Sequence, residues 1–447
     1  MDKTNEEPAK LERVVGIGGV AFSSFNCIVG AGIFGLPGLV SGILGPAAIV
    51  AYVVCLVLIG LLGLCFAEAG SRVSRCGGLY AYANAAFGPV TGGVTGALLL
   101  FANSIAGAAA LARFVLDTVA SQFPLFTQPW AAIGLLAMIY LVLAVVNIVG
   151  TRGGARLTVA IGAIKYVPLV GLVVAGLFLI HPSNLAWPSV PKAPQVGEAT
   201  LLLVFAFFGV ESGLNVSGET RDPARTIPRA ILLALVMVGA LYIGLQVTAQ
   251  GVLGAKLAHA PAPLVDLARV VFGPWGATLM VVTSVLSGAG YIIADMMVSP
   301  RIAFGLAEAG QMPRVLAYVH PRFRTPAIAI GLYAAAIVLL TASGTFQQLA
   351  VLATAGTLVI YLIVCLGVLR LRARKVAEAG TPFVAPGGVV VPLAATLIIL
   401  WLLSTLSPPE WLATAAFVAV TALIYAAKAW RDRRTARLIP ADRTASS

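Results

Sequence analysis

Charge is what this sequence has least of. Asp, Glu, Lys and Arg make up 10% of its 447 residues, against 60% hydrophobic residues. Soluble domains carry roughly 25% charged residues, so water is not the main solvent of this chain. Histidine is scarcer still, with His181, His259 and His320 scattered over segment ends and loops. That scatter argues against a histidine metal site and against a nucleophilic triad. The cysteines Cys27, Cys55, Cys65, Cys76 and Cys365 follow no metal-ligand spacing and sit in or beside apolar runs, as small core residues do. Clustered catalytic groups are missing, so the chain reads as neither an enzyme nor a holder of a metal or cofactor.

Long apolar runs are what it has instead. Twelve of them recur from residues 15–43 to 410–428, and about 17 to 25 apolar residues suffice to cross a bilayer. The expected fold is therefore an all-α integral membrane protein with twelve transmembrane helices. The leader, 1–13, is charged and lacks a small-residue cleavage site followed by a soluble domain, so the first run reads as a retained helix. A net charge of +12 raises the question of nucleic acid. Position answers it: with the N-terminus inside, most Lys and Arg fall in short cytoplasmic loops, where membrane proteins collect them. The bilayer is the expected partner, not nucleic acid, with both termini in the cytoplasm and the chain in an inner, plasma-type membrane.

One stretch stands out inside the first run. Gly30-Ala31-Gly32-Ile33-Phe34-Gly35-Leu36-Pro37-Gly38 places four glycines and a proline at bilayer depth. Gly and Pro cost roughly 1 and 3 kcal/mol in a helix interior, and irregular backbone at membrane depth is tolerated where it lines a cavity or is buried in protein. Freed N–H groups at such a break can hold an anion such as a carboxylate. Close helix packing is the competing explanation; it accounts for Gly42 or Gly63 but not for a Gly-Pro cluster with a counterpart. That counterpart is in the sixth run, Phe205-Ala206-Phe207-Phe208-Gly209-Val210-Glu211-Ser212-Gly213-Leu214-Asn215-Val216-Ser217-Gly218.

Two five-helix repeats follow, each opened by an interrupted helix, and an odd repeat size forces them to be inverted. The expected organisation is a cytoplasmic segment 1–13, repeats at 14–182 and 198–375, two appended helices in 388–430, and a polar, disordered tail at 431–447. Residues 68–87 and 255–272 are longer than simple turns and read as gating elements or as helices lying in the membrane interface.

These features resemble the amino acid–polyamine–organocation family of permeases, which have the leucine-transporter fold. The likeness covers nearly the whole chain and rests on four stretches in order: Gly30 to Phe34, Gly218-Glu219-Thr220-Arg221-Asp222-Pro223-Ala224-Arg225-Thr226-Ile227-Pro228-Arg229, Pro300 to Gly310, and Pro382-Phe383-Val384-Ala385-Pro386-Gly387-Gly388. The resemblance implies a secondary transporter working by alternating access. Backbone N–H groups around Ala31 and Gly32 would hold the substrate carboxylate, and the carbonyls of Ile28, Phe205, Ala206 and Phe208 its ammonium. Phe205 would close over the substrate from outside.

Ionisable groups within helices are functional candidates by default, and Lys165, Glu211 and Asp295 are three. By resemblance, Lys165 takes the place of a sodium ion, as a titrating group or as a fixed cation bridging helices. Sodium independence follows from either. Glu211 matches an acid that takes part in gating or in reading the substrate side chain. Asp295 has three open roles: pairing with Lys165, meeting a cationic substrate, or lying near the inner mouth. The charges at the cytoplasmic helix ends, Glu68, Arg72 and Arg301 among them, read mainly as a solvated rim. Neutral and cationic amino acids both remain open, including a cationic amino acid or polyamine antiporter. Proton symport and exchange, and monomer and homodimer, stay open as well. A channel would want repeated filter residues and a membrane enzyme clustered His, Asp or Ser; the sequence offers neither.

Overall fold

The computed structural model describes residues 16–30, 32–73, 78–121, 123–149, 165–210, 223–378 and 381–438. Its described residues form helices and the turns between them, with no strands. Lipid dictates this, because a backbone without water must bond within its own segment. The helices are α1 (Ile17–Ile28), α2 (Gly32–Leu44), α3 (Ala48–Arg72), α4 (Gly78–Phe87), α5 (Pro89–Leu98), α6 (Gly107–Ala120), α7 (Pro129–Val149) and α8 (Tyr166–Leu177). They continue as α9 (Ala193–Ala206), α10 (Pro223–Leu253), α11 (Pro263–Glu308), α12 (Ala327–Ser343), α13 (Phe346–Ala373), α14 (Val390–Leu403) and α15 (Pro408–Leu438). Outward-facing apolar side chains such as Val57, Leu141, Val236, Leu397 and Leu423 are exposed, the reverse of a soluble surface. The chain is an integral membrane protein.

Seven helical stretches of the described residues are long and apolar enough to span a bilayer. The twelve expected runs are otherwise represented by shorter apolar helices, Ile17–Ile28, Tyr166–Leu177, Ala193–Ala206, Ala327–Ser343 and Val390–Leu403. Two of these are short for a visible reason: α1 and α9 stop where the glycine-rich segments begin. Between α5 and α6 the chain widens into a π-helical stretch at Leu99–Ala106, an irregularity often associated with functional sites. At Gly273 the backbone turns to φ 72°, which glycine adopts without strain, and Pro274 restarts the helix.

Packing places the interrupted helices at the centre. α1 lies along α10, α9 packs on α2 and α3, and α13 runs against α3, α6, α9 and the π-helical stretch. The residue expected to begin a disordered tail, Arg431, instead lies within α15, which continues to Leu438.

Candidate functional site

α1 ends because Val29 leaves helical geometry, at φ −73° and ψ 79°, and the Gly30 N–H turns back on the Ile28 carbonyl at 2.7 Å. That is a three-residue inverse γ-turn. α2 restarts at Gly32, so its first N–H groups have no partner within the helix. α9 ends at Ala206 in wider, i to i+3 turns, with the Phe208 N–H bonded to the Phe205 carbonyl at 3.3 Å and Gly209 at φ 95°. A Cβ on Gly209 would lie 3.1 Å from the Cys27 carbonyl oxygen, so conformation and close approach both select glycine there.

The two interruptions meet at one cavity of ≈ 20 Å³, whose wall includes Ile28, Gly32, Phe205, Ala206 and Phe208. All five are residues singled out from the sequence; Ala31 and Glu211 lie outside the described residues. Leu111, Tyr291 and Cys27 complete much of the wall. The amino end of α2 and the carboxyl ends of α1 and α9 thus converge, partial positive charge opposite partial negative. The space admits a water molecule and little more, so a larger solute requires the Phe205 and Phe208 rings to move. Those rings sit 5.1 Å apart, and Phe205 lies so close to α2 that a Cβ on Gly32 would come within 3.3 Å of it.

Beyond Phe205 opens a vestibule of ≈ 770 Å³, walled by Gly35, Arg113, Phe114, Asp117, Thr341 and Phe346 among others. Phe346 meets Phe205 edge-on at 5.9 Å and Phe114 at 5.6 Å, so an aromatic stack separates vestibule from cavity. Phe207 points elsewhere; it is fully buried, 5.2 Å from the Tyr242 ring.

Tyr242, absent from the sequence reading, reaches in from α10. Its hydroxyl lies 3.2 Å from the Ile28 carbonyl oxygen and 3.0 Å from that of Ala206, joining the two interruptions. A tyrosine in an apolar run gives no sequence signal of such a role. Lys165 immediately precedes α8, and its ammonium donates to the carbonyls of Asn26 and Val29 at the end of α1. The Tyr166 hydroxyl donates to Asn26 Oδ1 at 2.9 Å, and its ring stacks on Phe25.

Asp295 does not pair with Lys165. Its carboxylate accepts from the Ser299 hydroxyl at 2.6 Å and the Tyr333 hydroxyl at 2.7 Å, and the residue is not part of the cavity wall. Cys27 is also not the small core residue expected: it is exposed and lines the cavity, whereas Cys55, Cys65 and Cys365 are buried.

The solvated-rim reading fails at Glu68. Its side chain is wholly buried and accepts from Arg372 Nε at 2.6 Å, Arg72 Nε at 3.0 Å and the Ala385 N–H at 2.9 Å. The Arg72 guanidinium also donates to the Val376 carbonyl. The carboxylate fastens the end of α3 to the end of α13 and to the loop that follows it. Arg301, by contrast, is exposed and bonded to the Met297 carbonyl of its own helix.

Comparison with known proteins gives a consistent result. The family model for amino acid permeases matches residues 17–427. An uncharacterized transporter of Mycobacterium tuberculosis is 30% identical over 418 residues, covering 86% of this chain and 85% of the relative. The methylthioribose transporter of Bacillus subtilis is 26% identical, covering 90% of each chain. The serine/threonine exchanger SteT of Bacillus subtilis is 27% identical, covering 83% of this chain and 88% of the relative.

Proposed function

This chain belongs to the amino acid permease family, and from that premise we propose that it moves a zwitterionic amino acid across a plasma-type membrane by alternating access. The observation carrying this reading is the convergence of one helix amino end and two helix carboxyl ends on a single cavity. An α-carboxylate matches the N–H groups at the start of α2, and an α-ammonium matches carbonyls at the ends of α1 and α9. Ile28, Leu111, Phe205 and Phe208 offer an apolar wall to the side chain. That wall favours a neutral amino acid over a cationic one.

The architecture that goes with this function has twelve transmembrane helices. Five and five form inverted repeats, interrupted in the first and sixth helices, and two helices are appended. Both termini face the cytoplasm, which makes the vestibule external and the Glu68 cluster internal. The Phe205, Phe346 and Phe114 rings then act as the outer barrier, and Glu211, next after Val210 in the sequence, modulates the site. Lys165 sets its ammonium against the α1 carbonyls where a sodium ion would sit, so transport proceeds without sodium, as proton symport or as exchange.

The test is uptake of radiolabelled amino acids into liposomes holding the purified protein. Serine, a substrate named for one relative, is a first probe within a panel. A free zwitterion should compete for uptake, whereas its N-acetyl and amide derivatives, each lacking one charge, should not. Equal competition by the derivatives, or inhibition by methylthioribose alone, would overturn the zwitterion reading. Replacement of sodium by choline should leave uptake unchanged.

A further inference from the structure

Asp295 is a buried acid that the substrate site does not use. It is 9% exposed and lies on α11 one helical turn past Tyr291, which lines the cavity. Its two oxygens are met by neutral hydroxyls, Ser299 from its own helix and Tyr333 from α12. Among the described residues no Lys, Arg or His lies within ion-pair distance. The titratable groups facing it among the described residues are phenols. Tyr333 comes from α12, and Tyr140, from α7, lies within electrostatic reach. One turn earlier on α11, Tyr291 lines the cavity and lies within electrostatic reach of Tyr333.

Tyr140 supplies the second observation. Its hydroxyl is buried and has no hydrogen-bond partner among the described residues. An idle buried hydroxyl is costly in the state that leaves it idle, and so calls for an explanation. A carboxylate with no counter-ion can balance its charge by binding a proton, and the new O–H then needs an acceptor. The Tyr140 oxygen, on the neighbouring helix, is not bonded to the carboxylate in this structure and has no other bond among the described residues to give up before accepting that one.

We propose that Asp295 is a proton-binding site that couples proton movement to the transport cycle, with Tyr291 on the cavity side and Tyr333 and Tyr140 around the carboxylate. This rests on the transporter reading above. The step is a simple protonation: a carboxylate and one proton become a carboxylic acid, and the proton leaves again in the opposite-facing state. Charge-assisted hydrogen bonds are about twice as strong as neutral ones. Protonation therefore weakens the Ser299 and Tyr333 bonds and loosens the tie between α11 and α12. Substrate need never touch Asp295; the two sites communicate through α11, which carries both Tyr291 and Asp295.

Two readouts test this on the purified full-length protein. Infrared difference spectra between acid and alkaline buffer should contain a protonated-carboxyl C=O band. That band should shift when aspartate is labelled with ¹³C, vanish in Asp295→Asn and move in Tyr333→Phe. A band that survives in Asp295→Asn, or no band in the unmodified protein, overturns the proposal. In liposomes, Asp295→Asn should still exchange labelled serine against internal serine but lose accumulation driven by an inward proton gradient. Accumulation equal to the unmodified protein's also overturns it. Exchange with no response to a proton gradient in the unmodified protein rejects the coupling and leaves the transporter reading standing. If no amino acid in the panel moves, the transporter reading fails, and the infrared band alone decides whether Asp295 binds a proton.

Discussion

Glu68 and Asp295 are both acids buried in an apolar protein, and their surroundings could hardly differ more. Glu68 accepts from two guanidinium groups and a backbone N–H, so its negative charge is matched twice over by cations that never lose their protons. Asp295 has two hydroxyls and no cation. The first arrangement fixes a charge state and with it a junction between helix ends. The second leaves the charge state free to change. A buried acid is thus informative about function through its donors, not through its burial.

The contrast breaks most visibly at Glu68→Gln. Removing one member of a buried ion pair costs about 3 to 5 kcal/mol, so this variant should lose much of its folded yield and unfold well below the unmodified protein in detergent melts. Arg372→Lys keeps the charge but loses the two-pronged contact to both Glu68 oxygens. Its cost should be smaller, about 1.5 to 3 kcal/mol by the worth of hydrogen bonds to charged groups, read in the same melts.

Gly209→Ala probes the cavity, which neither acid lines. A left-handed backbone costs an L-residue about 1 to 2 kcal/mol, and the added methyl meets the Cys27 carbonyl. Uptake should fall more than stability does. Asp295→Asn should be mildest in stability, about 1 kcal/mol, because an amide oxygen can still accept from Tyr333 or Ser299. Melts that rank Asp295→Asn with Glu68→Gln would erase the distinction between a fixed and a changeable charge.

The sequence carried the break between α1 and α2 and the end of α9 at Ala206 well, because Gly30 to Gly38 and Phe205 to Gly209 break helical propensity locally; the rest of the sixth run, 211–222, lies outside the described residues. Local signals of that kind need no knowledge of neighbours. It also marked Lys165 and Asp295, since a charge in an apolar run is conspicuous. Their partners were hidden. Nothing near Asp295 in sequence points to Tyr333 on another helix, and Glu68 shows only Arg72 four residues on, while Arg372 arrives from α13. Tyr242, Phe114 and Phe346 were missed for the same reason: an aromatic in an apolar segment is ordinary until tertiary packing aims it. The mistaken tail has a different cause. Residues from Arg431 onward are charged, as linkers are, yet helix propensity carries α15 to Leu438.

Cys27 gives the wild-type chain a built-in stopwatch. It is exposed and lines the small cavity, while the other described cysteines are buried, and the Phe205 and Phe346 rings stand between that cavity and the vestibule. A charged, membrane-impermeant thiol reagent added to the vestibule side can react there only during moments when the rings part. With Cys76 replaced by serine, the modification rate would count those openings directly, and an amino acid that lingers in the cavity would slow the count.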